Sequence, residues 1–163
     1  DEAMSKFVSE MSEKLGIEIK KAKSAEEVLN SDIICTASSS AEPLFDGKKL
    51  KEGTHINGIG SHAPAMRELD TETIKRSLFV GDSREACFGE AGDILIPIKE
   101  GAIMESHFHA ELGEVITGKK QGRTDDKMIT LFKSNGLAIQ DAATAKVVYE
   151  RALAKGIGVN VEI

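Results

Sequence analysis

The 163 residues are 40% apolar and 29% charged, and 21 Lys+Arg against 27 Asp+Glu leave a net charge of −6, the arithmetic of an ordinary soluble globular chain. That balance argues against nucleic acid or an anionic membrane as partner, because either needs a cationic face, and no apolar run approaches the ~20 residues that span a bilayer. Cys35 and Cys87 lie far apart and outside any CxxC, which sets aside a disulfide framework or a structural zinc and points to a reducing cytoplasm.

Helical patterning begins at once. Met4, Phe7, Val8, Met11 and Leu15 recur at steps of three and four, and Gly16 follows the helix end. These apolar side chains are expected in the core. No strand or loop leads into this helix, so the chain is expected to start in mid-fold, as the rear portion of a longer protein. A short extended piece (17–20) precedes a helix with a capping box formed by Ser24 and Glu27. The run 32–37 is short, apolar and β-branched, the pattern of a strand covered on both faces, with Cys35 as a small buried residue. Residues 54–59 repeat that pattern. Asp70 opens a helix, 78–81 make a third strand, and Ser83 caps the helix that carries Cys87.

The run Ile94-Leu95-Ile96 before Pro97 is apolar but short. A helix is expected over 110–117, a solvated loop over 119–127 and a strand over 128–132. The longest helix spans 136–155, with Ala138, Ala142, Ala145, Tyr149 and Ala152 as its inner stripe and Gly156 past its end. An extended piece at 159–163 closes the sequence. His107 and His109 form an H-x-H with no acidic or cysteine partner at ligand spacing, which leaves a metal site unsupported. Alternation of strand and helix predicts an α/β fold, a doubly wound and mostly parallel sheet with helices on both faces.

In such sheets ligands bind at the carboxyl ends of the strands. The segments just past the strand ends are small, hydroxyl-bearing or glycine-containing: Ser38-Ser39-Ser40, Gly60-Ser61-His62, Gly81-Asp82-Ser83 and Ser134-Asn135-Gly136. Small residues let a planar ligand reach the backbone, and hydroxyls bind its polar oxygens. The G-x-G-x-x-G turn of a dinucleotide fold is absent. A start downstream of the second strand of such a fold accounts for both that absence and the abrupt first helix.

The segment 53–64, which contains Gly58-Ile59-Gly60-Ser61-His62-Ala63-Pro64 and continues to Arg67-Glu68-Leu69-Asp70, resembles the signature of the ornithine cyclodeaminase/μ-crystallin family. So do Val80-Gly81-Asp82-Ser83-Arg84-Glu85-Ala86, Ala110-Glu111-Leu112-Gly113-Glu114-Val115, and Phe132-Lys133-Ser134 through Ala138-Ile139-Gln140-Asp141. The likeness runs in order over nearly the whole chain and corresponds to the carboxyl-terminal half of a family member. It implies a partial Rossmann domain over 1–155 that binds NAD or NADP, and a tail over 156–163 returning to an amino-terminal substrate and dimerisation domain. It also implies a homodimer or higher self-association.

Carried over by motif, Ser38 and Ser39 contact the dinucleotide, Ile59 and Ser61 line the nicotinamide region, and Ser134 sits near the nicotinamide amide. Glu90 matches an acidic position at the ligand and cofactor site. His62 stands where the cyclodeaminases of the family carry an aspartate as acid/base. A histidine there also moves protons near neutral pH, yet the departure argues against ornithine cyclisation. The expected parent is therefore an oxidoreductase of a small amino or imino acid, a ketimine reductase or an alanine-type dehydrogenase. Ornithine cyclodeaminase and a non-enzymatic cofactor-binding protein are the alternatives.

Overall fold

The computed structural model describes residues 2–159 and 161. Its centre is a five-stranded sheet made of β1 (Ile33–Thr36), β2 (His55–Gly58), β3 (Ser77–Gly81), β4 (Phe108–Glu111) and β5 (Ile129–Lys133). The spatial order is β1-β2-β5-β3-β4, and every neighbouring pair is parallel. Parallel pairing puts all five carboxyl ends on one edge. The helices are α1 (Glu2–Leu15), α2 (Thr71–Arg76), α3 (Arg84–Glu90), α4 (Gly92–Lys99), α5 (Leu112–Ile116) and α6 (Ala138–Lys155).

One sheet face holds the core. Ile34, Ile56, Phe79, Phe108, Ile129 and Leu131 point into it and meet Leu69 before α2, Ile74 of α2, Cys87 of α3, Ala91 between α3 and α4, and Ile94 of α4. Phe79 and Phe108 pack with ring centroids 5.3 Å apart. Caps start two of these helices where the sequence places them. Asp70 accepts the Thr73 N–H at 2.7 Å, and Ser83 Oγ accepts the Ala86 N–H at 3.3 Å. Each such cap contributes about 1 kcal/mol. On the opposite face α5 lies over part of the sheet: Leu112 and Val115 sit against Leu78, Val80 and Phe132 and line an open apolar pocket of about 320 Å³ that reaches Ile33 and His55. The α/β fold with a parallel, Rossmann-like sheet and helices on both faces is thus the observed one.

Several local expectations are corrected. Residues Ala25–Asn30 make a 3-10 helix, and the Ser24 side chain caps nothing; its carbonyl instead accepts the Glu27 N–H at 3.2 Å. β4 takes 108–111, so the helix read from Ala110 starts only at Leu112. The Ile94 run is part of α4, which continues through Pro97. His107 and His109 each give Nε2 to a carbonyl, of Ile74 at 2.6 Å and of Gln121 at 2.8 Å.

Burial differs too. β1 is an edge strand covered on one face only, so Ile33 is 63% exposed and Cys35 is exposed while Ile34 and Thr36 are buried. Among the described residues neither α1 nor α6 carries a buried side chain: Phe7 is 56% and Tyr149 64% exposed. Their apolar faces are real in the pattern but meet no layer. Residues 157–159 and 161 have no regular structure, and the rest of the expected closing segment lies outside the described residues. Among the described residues no helix is long and apolar enough to cross a membrane.

Candidate functional site

The loops after β1, β2, β3 and β5 converge because their strands are neighbours and parallel. Backbone bonds continue the ladder into the loops: the Ile59 N–H donates to Thr36 O at 2.8 Å, Ser134 N–H to Gly58 O at 3.0 Å, and Asp82 N–H to Lys133 O at 3.0 Å.

Two carboxylates then join the loops in pairs. Glu68 is fully buried; its Oε1 accepts the Ser38 N–H at 2.5 Å and its Oε2 the Gly60 N–H at 2.8 Å. Burial pushes this carboxyl up, but the hydrogen bonds from Ser38 and Gly60 outweigh it and hold the carboxyl below its usual range. The fit at Gly60 is tight, since a Cβ there would run into the Ser38 carbonyl and the Glu68 carboxylate. On the other side, Asp82 Oδ2 accepts from Ser134 Oγ at 3.1 Å and from the Asn135 and Gly136 N–H groups at 2.7 and 2.8 Å. Gly136 has φ +86°, a left-handed turn that favours glycine there.

Beneath both lies a buried ion pair. Lys133 Nζ is 3.7 Å from Asp93 Oδ2, and neither side chain is exposed to solvent. Asp93 Oδ1 accepts the N–H groups of Glu68 at 2.8 Å and Leu69 at 3.0 Å. Burial pushes the Asp93 carboxyl above its ordinary range, against the pull of the Leu69 N–H and the Lys133 ammonium.

The residues picked from the sequence occupy different situations here. Ser38, Ser39 and Ile59 are exposed on the loops after β1 and β2, with Ile59 at 48%. Ser61 is wholly buried, its hydroxyl donating to Met66 O at 2.7 Å, so its side chain holds the loop from inside. Ser134 is half-buried and its hydroxyl is engaged by Asp82. His62 is exposed, with Nδ1 2.7 Å from Gly60 O. A carbonyl only accepts, so Nδ1 donates here and Nε2 is the ring nitrogen left for another partner. Glu90 is exposed at the end of α3. Two residues on, a Cβ at Gly92 would strike the carbonyls of Met66 and Ala63, which brings the turn after Glu90 beside the His62 loop.

Glu68, Asp82, Asp93 and Lys133 were not picked out. For Lys133 a signal existed: Ile129, Leu131 and Lys133 share one parity on β5, and a charge at an inward position marks a buried pair. Asp93 stands in an otherwise apolar stretch, 91–98, for the same reason.

Cys87 lies under this edge, with Sγ 3.5 Å from Asn135 Oδ1. Burial and the nearby Asp82 charge push its thiol up to about 12. The thiolate is the reactive form, so thiol reagents at neutral pH should label exposed Cys35 and leave Cys87 untouched until the protein is unfolded. Peptide mass mapping before and after denaturation checks this, and fast native labelling of Cys87 would refute its burial.

A parallel α/β sheet whose hydroxyl- and glycine-bearing loops gather at one carboxyl edge defines a Rossmann-like ligand-binding domain. The ornithine cyclodeaminase/mu-crystallin family matches residues 1–156, and the chain belongs to that family. Among its relatives, the Delta(1)-pyrroline-2-carboxylate reductase of Bacillus cereus (strain ATCC 10987) is 44% identical over 138 residues, covering 84% of this chain and 42% of the relative. The solved structure of Thermococcus litoralis Delta(1)-pyrroline-2-carboxylate reductase in complex with NADH and L-proline superposes with a TM-score of 0.91 at 53% identity, covering 96% of this chain and 49% of that one. An archaeal alanine dehydrogenase dimer with bound NAD gives 0.86 at 42% identity, covering 99% and 50%. The chain spans about half the length of the relatives it matches.

Proposed function

We propose that this chain supplies the dinucleotide-binding half of an NAD(P)-dependent oxidoreductase acting on a small amino or imino acid, with a cyclic ketimine such as Delta(1)-pyrroline-2-carboxylate as the first substrate to try. The observation that carries the reading is the convergence of the clasped loops after β1, β2, β3 and β5. The solved relatives that hold NADH or NAD share this fold over nearly the whole chain, which supports the same cofactor here.

The residues at the edge fit such a group. Ser39 offers an exposed hydroxyl, Ser38 is exposed with its Oγ accepting the Ser40 N–H at 3.2 Å, and Ile59 offers an exposed apolar surface for a flat ring. The buried Asn135 Nδ2 has no partner among the described residues and is a spare amide donor beside Ser134. When bound, the nicotinamide exchanges a hydride with the carbon of a C=N group. To His62 we assign the proton that the nitrogen gains or gives up, through Nε2, which the Nδ1 contact with Gly60 O leaves available. Glu90, beside the same loop, adds a carboxylate able to orient a cationic nitrogen. Ser61 and Ser134 act by holding their loops.

Self-association belongs to the same reading. Among the described residues β1 pairs with β2 alone, which leaves its other side open to a further strand or another chain.

Incubating the intact protein with NADH or NADPH and Delta(1)-pyrroline-2-carboxylate tests the proposal; consumption of reduced cofactor with formation of proline is expected. His62→Asn in that assay should lower kcat about 10²-fold or more, with KM changed far less. An unchanged kcat would remove His62 from proton transfer.

A further inference from the structure

We propose that Lys133, Asp93 and Glu68 form a buried relay that fixes the loops after β1, β2 and β5 relative to one another, with Lys133 as a positioning residue for cofactor binding; that last clause rests on the dinucleotide reading above.

The relay is continuous. Lys133 Nζ donates to Gly58 O at 3.3 Å and to Ser134 O at 3.4 Å, the last residue of β2 and the first after β5. It faces Asp93 at 3.7 Å. Asp93 Oδ1 holds the Glu68 and Leu69 N–H groups, and its own N–H donates to Ser61 Oγ at 3.4 Å. Glu68 in turn holds Ser38 and Gly60. Each of these three loops is therefore bonded to a member of one buried polar set.

Stability alone is a poor reason for such a set. A buried ion pair loses in desolvation much of what it gains in attraction, and apolar residues of the same volume often do as well. An apolar side chain at position 133 cannot donate to two carbonyls on neighbouring strand ends. The fixed separation of the Ile59–His62 and Ser134–Gly136 backbones is what the ammonium provides, and a ligand lying across both needs it.

The test compares Lys133→Met, Asp93→Asn and the double variant in the intact protein. Melting temperature is measured together with amide hydrogen exchange at residues 59–62 and 134–136, without nucleotide, and with NADH titration. Lys133→Met alone leaves the buried Asp93 carboxyl without its cation, and a large drop in melting temperature is expected. The double variant replaces that carboxyl with a neutral amide and should recover most of the drop. Its two loops should nevertheless exchange at least tenfold faster, and NADH should bind at least tenfold more weakly.

A double variant with the parent's exchange rates in those loops overturns the relay. If Lys133→Met fails to fold, the double variant decides alone. The exchange readout needs no cofactor, so an intact protein that never binds NADH would sink the dinucleotide reading and leave the relay to be judged on loop exchange.

Discussion

Gly60→Ala should be among the most damaging single-methyl changes in the protein. The added Cβ points at the Ser38 carbonyl and the Glu68 carboxylate, and that carboxylate is held by the Ser38 and Gly60 N–H groups. Backbone and a buried carboxylate cannot swing aside as a flexible side chain does. The clash must part the loops after β1 and β2, at an overpacking cost of about 1–3 kcal/mol. If those loops hold the dinucleotide, NADH affinity should fall more steeply than stability, by tenfold or more. Gly113→Ala in α5 is the control, because nothing lies within 4 Å of its added methyl. Denaturant melts and NADH titration of both variants read the two effects. A Gly60→Ala protein matching Gly113→Ala in both would show that the loops are not clasped as described.

Glu68→Gln should destabilise the protein by about 1–3 kcal/mol or more and change its response to acid. An amide has one accepting oxygen, so either the Ser38 or the Gly60 N–H would face an NH₂ group in a buried site. The pH dependence is set by the direction of the shift. The folded-state pKa of Glu68 lies below its ordinary 4.5, so the unfolded chain binds this proton more tightly. The carboxylate's stabilisation is fully present above the ordinary value and is lost as pH falls through the folded-state value.

Asp93 has the opposite sign. Its folded-state pKa lies above the ordinary 3.8, so its part of the stability declines as pH rises through the window between those two values. Glu68→Gln should therefore flatten the acid limb of the stability curve, and Asp93→Asn should steepen it. Denaturant melts from acid below both ordinary carboxylate values up to neutral pH check both. Parallel acid limbs in all three proteins would mean that neither carboxylate titrates differently on folding.

The fold was legible in the residues because its signals are local. Strand runs at 32–37, 54–59, 78–81 and 128–132 matched four of the five strands, and Asp70 and Ser83 marked helix starts that the structure confirms. β4 was missed because Phe108–Glu111 runs straight into α5, leaving four residues too short to show a period of their own. The hydroxyl- and glycine-rich loops were legible for the same reason as the strands, since turn chemistry is written in the turn.

The architecture of the edge was not. Glu68, Asp82, Asp93 and Lys133 are ordinary charged residues until the fold closes. Lys133 ends β5 and Asp93 lies in the first turn of α4, 40 residues earlier (133 − 93), and only the packing of α4 against the sheet puts them within ion-pair distance. Exposure also lay beyond the pattern. An amphipathic period tells which side of α1 or α6 is apolar, whereas whether anything covers that side depends on the layers around it. Residue types and spacing by themselves determined four of the five strands, most of the helices, the family likeness and the loop chemistry. Tertiary structure alone decided strand order, burial and the partners of each charge, because those depend on contacts between segments far apart in the chain.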